Sequence, residues 1–173
     1  GVNFSIYFFL ICRKFNLIRQ NTELKCYLLI IFCAVAIVTA NLMLTGNAIN
    51  GDLGETVRHV SFTVGSIITT TGFATQDFDR WPQYSRCLLV LIMFIGACAG
   101  STGGGLKVSR FIIWWKSIKN ELEVFVHPRS VKAVEMDGKT IERDTVRAVS
   151  VYMVVFLLVY VISVLLLSLD QFD

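Results

Sequence analysis

Charge is what this chain has least of. Charged residues make up 17% of its 173 positions, while Ala, Val, Ile, Leu, Met, Phe, Trp, Tyr and Cys together make up 54%. A typical soluble domain is about 25% charged, so the composition argues for an integral membrane chain. Mean hydropathy of +0.63 also excludes disorder. A net charge of +3 is too small to argue for a nucleic-acid partner. Paired cysteines are missing too. Five Cys is an odd count without close spacing, so Cys12, Cys26, Cys33, Cys87 and Cys98 read as small membrane hydrophobes, not a disulfide scaffold. His59 and His127 have no Cys or carboxylate at metal-ligand spacing, and neither is assigned to a metal site. Residues 1–12 lack an initiator Met, a basic n-region and a small-residue cleavage site. They read as the tail of a span, and the chain as a piece of a longer polytopic protein.

Long uncharged runs are what is there instead. Residues 26–51, 87–106 and 148–169 hold 26, 20 and 22 residues without a charge, and a spanning helix needs roughly 20 apolar residues. The 16 Lys and Arg set the orientation. Four (Arg13, Lys14, Arg19, Lys25) precede the first run, three (Arg58, Arg80, Arg86) lie between the first and second, and nine run from Lys107 to Arg147. Under the positive-inside rule the groups of four and nine are cytoplasmic and the group of three external. Trp81 and Tyr84 suit the outer interface, Trp114 and Trp115 the inner one.

A fourth uncharged run, residues 59–76, is too rich in Ser, Thr and Gly to face lipid. Asp52 and Glu55 resemble a capping box, and Val57, Val60, Val64 and Ile68 recur at helical spacing. The β-branched Thr69, Thr70 and Thr71 followed by Gly72 should stop that helix near Thr69. At roughly 13–17 residues it is too short to cross, so it must enter the membrane and return. Non-helical backbone at such depth is tolerated only against protein or a water-filled cavity. A helix C-terminus followed by consecutive carbonyl oxygens can replace a cation's hydration shell. The alternative is a re-entrant packing element that holds no ion.

The next run carries a second anomaly. Five of the ten residues 96–105 are glycines, each costing about 1 kcal/mol against Ala in a helix. Gly96 falls about 18 Å inward of Tyr84, so the helix should break inside the membrane. A polar loop there, below a cation site, is a natural gate. Helix packing is the alternative, because Gly96 and Gly100 form a G-x-x-x-G pattern. A phosphate loop fits poorly: Leu106 intrudes before Lys107, and Val108 stands where Ser or Thr should bind magnesium.

Taken together, Ser66-Ile-Ile-Thr-Thr-Thr-Gly-Phe-Ala-Thr75, then Trp81-Pro82, then Phe94-Ile-Gly-Ala-Cys-Ala-Gly-Ser-Thr-Gly-Gly-Gly-Leu-Lys107 closely resembles the Trk/Ktr potassium-uptake family; His127-Pro-Arg also fits. The resemblance implies an all-α integral membrane fold. Its unit is a helix–pore loop–helix (M1-P-M2) repeat, four of which form a pseudo-fourfold, potassium-channel-like pore. It makes Thr70, Thr71 and Gly72 potassium-binding filter positions, flanked by Thr69 and Phe73. It makes Gly96, Gly100, Ser101, Thr102, Gly103, Gly104 and Gly105 an obstructing gate loop. Implied partners are the lipid bilayer, the other three repeats, a second copy in a homodimer, and a cytoplasmic nucleotide-binding regulatory subunit (TrkA-like). Potassium is the implied ion, with no organic cofactor, no catalytic residue and a multi-pass place in a bacterial inner membrane.

The expected division follows from these readings. Residues 1–25 end a preceding span and form a cytoplasmic connector, and 26–51 form an outward helix. Residues 52–83 hold pore helix, filter and external loop; 84–118 form an inward helix broken at 96–105. A cytoplasmic connector (119–147), a further outward helix (148–169) and an external end (170–173) complete the chain. Within the connector, residues 131–142 read as a hairpin turning at Asp137 and Gly138. Lys107 and Arg110 lie three apart on one helical face below the glycine-rich break, where they contact gate or partner or else snorkel to the inner interface. Asp77 and Asp79 either raise local cation concentration or belong to an ordinary external loop. The rival to conduction is a non-conducting regulatory or assembly subunit that uses its glycines for packing. A membrane NTPase is a second rival, weakened by the failed phosphate loop.

Overall fold

Short polar side chains set the helix starts, in a computed structural model that describes residues 1–127 and 133–169. Asn3 precedes α1 (Phe4–Ile11) and accepts from the Ser5 N–H at 2.8 Å. After the six-residue α2 (Phe15–Gln20), Asn21 opens α3 (Thr22–Leu44) by accepting from the Leu24 N–H at 2.7 Å. Asp52 opens α4 (Leu53–Ile68), accepting from the Glu55 N–H at 3.1 Å. Each cap satisfies one of the first-turn donors that a helix leaves unpaired, typically about 1 kcal/mol. Glu55 turns back to accept from the Asn50 side chain, not from its own helix's cap residue.

The remaining elements are α5 (Gln83–Phe94), α6 (Val108–Val126), a two-stranded hairpin of β1 (Glu135–Met136) and β2 (Lys139–Thr140), and α7 (Arg143–Leu169). The chain divides into two units, Gly1–Phe111 and Ile112–Asp173. In the first, α3, α4 and α5 pack on one another. Tyr27, Ala34, Val38 and Leu42 of α3 are buried with Val60, Val64 and Ile68 of α4 and Leu89 and Ile92 of α5. Val57 of the same helix is 38% exposed, whereas Thr56 is buried. Thr56 can be buried because its Oγ1 donates to Asp52 O at 2.7 Å and accepts from the Ile49 N–H at 3.0 Å. Ser85 donates to Asn41 Oδ1 at 2.8 Å and ties α5 to α3. Such interhelical bonds average only about 0.6 kcal/mol in a bilayer, so close packing carries most of the association.

Among the described residues, two helices are long and apolar enough to cross a bilayer: α3 and the stretch Arg143–Leu166 of α7. At 1.5 Å per residue α3 reaches about 34 Å, whereas the 12 residues of α5 reach about 18 Å. In the second unit the hairpin pairs Glu135 with Thr140 and Met136 with Lys139. Asp137 and Gly138 both have positive φ (52° and 74°), as a type I′ turn requires. Lys116 Nζ donates to Glu135 O at 2.7 Å and fixes the hairpin to α6. Pro128, Arg129, Val131 and Lys132, and the end at 170–173, lie outside the described residues.

Candidate functional site

The segment after α4 is shaped by how that helix ends. The Thr71 N–H donates to Ser66 O at 2.8 Å and the Thr70 N–H to Ile67 O at 3.0 Å. That pair of bonds is a Schellman ending, whose left-handed position belongs usually to Gly. Here Thr70 holds it, with φ of 56°. A β-branched residue in that region is an outlier, costing about 1–2 kcal/mol. Gly72 also has positive φ, at 81°, and bears the second reversal without that cost. Thr69 is held by its own hydroxyl, which donates to Gly65 O at 2.6 Å and pairs with Thr71 Oγ1 at 2.8 Å.

These turns leave a run of backbone oxygens over. Among the described residues, no donor reaches the carbonyl oxygens of Thr69, Thr70, Thr71 or Gly72. Peptide oxygens left without donors are costly unless water or a cation takes the donors' place. Phe73 follows with its side chain exposed. Beyond it, Thr75 Oγ1 pairs with His59 Nδ1 at 2.9 Å, which returns the chain toward the middle of α4. Asp77 accepts from the Asp79 N–H and pairs with Arg80 at 3.2 Å, both side chains being well exposed.

The glycine-rich stretch is non-helical, as expected, but the break comes earlier than Gly96. The helix α5 ends at Phe94, and Ile95 is already extended. From there the chain closes on itself: the Gly96 N–H donates to Leu106 O at 2.7 Å, and Leu106 N–H to Phe94 O at 3.2 Å. Ile95 and Leu106 form a parallel bridge at the neck of the loop. A Cβ on Gly96 would lie 2.2 Å from Gly104 O, so the missing side chain serves a contact inside the loop itself. Gly100 and Gly105 both have φ of 72°, a backbone no α-helix shares.

Loop and α4 ending meet. The Gly104 N–H donates to Thr70 Oγ1 at 3.0 Å, and a Cβ on Gly103 would strike Ala97 Cβ at 2.5 Å. Lys107 is not on a helical face, since α6 begins at Val108; its Nζ donates to Ser101 O at 3.2 Å and to Gly103 O. Arg110 does lie on α6, three residues beyond Lys107. Ser101 Oγ donates to Cys98 O, and Thr102 is exposed at the loop's tip.

One residue that sequence reasoning missed is Glu23. It is 4% exposed, and its Oε1 accepts from the Ala99 N–H at 2.6 Å and the Ser109 N–H at 3.0 Å. Only its cost as a charge beside an apolar run marked it in the sequence. Among the described residues, no group of three His, Cys, Asp or Glu side chains stands ready to hold a metal ion.

Three comparisons bear on this arrangement. The chain matches, over residues 1–173, the family TrkH, described as a cation transport protein. It is 32% identical over 166 residues to the Trk system potassium uptake protein TrkH of Escherichia coli, covering 95% of this chain and 34% of that protein. Against TrkH of Halomonas elongata it is 34% identical over 156 residues, covering 88% and 32%. The crystal structure of the potassium transporter TrkH from Vibrio parahaemolyticus superposes with a TM-score of 0.79 at 31% identity, over 89% of this chain and 32% of that one. The chain thus spans about a third of the length of the relatives it matches.

Proposed function

We infer, from the premise that this chain belongs to the TrkH family of cation transport proteins, that it supplies one M1-P-M2 repeat of a potassium-translocating membrane subunit. In this reading α3 and the pair α5–α6 are the repeat's outer and inner helices, α4 is the pore helix, and residues 69–73 are one quadrant of the filter. Residues 96–105 are the barrier beneath it. The carrying observation is the row of carbonyl oxygens from Thr69 to Gly72 that accept no hydrogen bond among the described residues, directly after a helix of 16 residues. Such a row can exchange with water in a potassium ion's shell, and the helix's negative end favours a cation there. Potassium is the cargo; no covalent chemistry is needed, and the relatives are named for transport. Packing glycines in a non-conducting subunit is the weaker reading, because Gly96 is filled by the loop's own backbone.

The rest of the assembly belongs to the same proposal: three further repeats around the pore, a second copy, a cytoplasmic nucleotide-binding regulatory subunit, and a bacterial inner membrane crossed several times. The complete protein in proteoliposomes should take up potassium faster than sodium. Equal uptake of the two ions would remove the filter reading.

Topology offers a separate test, motivated by the split of 13 Lys and Arg against three. In the complete protein without native Cys, Gln76→Cys should react with an impermeant thiol reagent added outside. Lys139→Cys should react only after permeabilisation. The reverse pattern would overturn the orientation and, with it, a re-entrant α4.

A further inference from the structure

The buried carboxyl of Glu23, at the start of α3, brings the glycine-rich loop and the start of α6 within reach of one oxygen atom. Ala99 lies on the descending limb and Ser109 in the first turn of α6, yet both N–H groups end on Glu23 Oε1, at 2.6 and 3.0 Å. The sequence separations are 76 and 86 residues, so this is tertiary design, not local capping. The Ser109 N–H is one of the donors a helix leaves unpaired in its first turn, and an acidic group there also opposes the positive end of the helix. The Ala99 N–H belongs to irregular backbone, where an unmet donor away from water is expensive. Around them Ala97, Cys98 and Val108 are each fully buried, while Ala99 and Ser109 themselves are part-buried.

We propose that Glu23 is a positioning residue of the gate: a single acceptor that clips the loop at Ala99 and the first turn of α6 at Ser109 to the base of α3, and so holds the loop across the pore. The inference rests on the reading of residues 96–105 as the barrier. Opening the loop then means breaking two hydrogen bonds at one atom, together, so the clip makes release a two-state event rather than a gradual fraying. Lys107 acts differently, gathering the carbonyls of Ser101 and Gly103 within the loop, which stiffens it without tying it to another helix.

The native Cys98 reports on this, being fully buried, free and next to Ala99. In the complete protein with every other Cys replaced, the rate of Cys98 modification by a small aqueous thiol reagent is measured beside potassium flux. Glu23→Leu keeps the volume and removes the acceptor, and should raise the modification rate roughly tenfold or more. Glu23→Gln retains an oxygen with two lone pairs and should stay within about threefold of the parent. A rate for Glu23→Leu within about twofold of the parent overturns the clip, whatever the flux does. So does a Glu23→Gln rate as high as that of Glu23→Leu, since an acceptor would then not be what matters. Faster modification with raised flux supports both clip and barrier; faster modification with unchanged flux supports the clip and removes the barrier reading. Should Glu23→Leu not assemble, Glu23→Asp, which withdraws the oxygen by one methylene, is read by the same limits.

Discussion

Gly72→Ser in the complete protein should lower potassium-over-sodium selectivity by roughly tenfold, since a residue forced into left-handed backbone costs about 1–2 kcal/mol. The reason is conformational and not steric. Gly72 has φ of 81°, and a Cβ there would meet nothing within 4 Å among the described residues. A serine would fit the space and resist the angle, so the segment would relax by turning its peptide planes. The carbonyl oxygens of Thr71 and Gly72 turn with them, and the ion loses ligands set at a fixed separation. Gly65 supplies the control, since it too has open space around its Cβ but lies inside α4. Gly65→Ala should stabilise the helix by up to about 1 kcal/mol and leave selectivity alone. Ion-flux ratios for the two variants decide the matter: equal loss in both, or none at Gly72, would place selection elsewhere.

Removing residues 100–103 should raise potassium flux at least roughly tenfold, equivalent to ~1.4 kcal/mol off the barrier to permeation, with selectivity largely kept. The deletion takes out Ser101 and Gly103, whose carbonyls Lys107 gathers, and the Gly100 carbonyl that accepts from the Phe4 N–H at 3.3 Å. It spares the neck, where Gly96 and Leu106 pair, and so should not unravel α5 or α6. It also spares residues 69–73. If the shortened protein inserts and assembles but carries no more potassium than the parent, the stretch is a packing hinge and the barrier lies elsewhere. A rise in flux with selectivity lost would mean that the loop also supports the filter.

Local rules made much of this arrangement legible in advance. Asp52 as a cap, a helix stopping at Thr69, positive φ at Gly72 and the turn at Asp137 and Gly138 all follow from residues within a few positions of one another. What escaped depends on residues far apart in the chain. Thr70 takes the left-handed position at the end of α4, and its hydroxyl accepts from Gly104, 34 residues away. Glu23 looks in the sequence like an ordinary acidic first-turn residue; only the return of Ala99 and Ser109 makes it a shared acceptor. Val57 shares its helical spacing with Val60, Val64 and Ile68 yet is part-exposed, while Thr56, whose hydroxyl has two partners, is buried. Periodicity counts apolar residues and cannot see a polar one whose needs are met. Lys107 was set on a helix that in fact begins one residue later, which freed its amine to turn back into the loop.

The bond from the Gly104 N–H to Thr70 Oγ1 has a thermodynamic corollary. Thr70 contributes to the row of oxygens through its carbonyl and bonds the loop through its hydroxyl, so on the proposed reading one residue takes part in both ion binding and loop displacement. Whatever factor an occupying ion applies to the making or breaking of that bond, loop displacement must apply to ion affinity in turn, since coupling between two binding equilibria is reciprocal. The sign is open to titration: potassium affinity compared between the parent and a variant with the loop released gives the coupling free energy directly. Thr70→Ser keeps the hydroxyl and should preserve that difference, while Thr70→Val removes it and should bring the two affinities together.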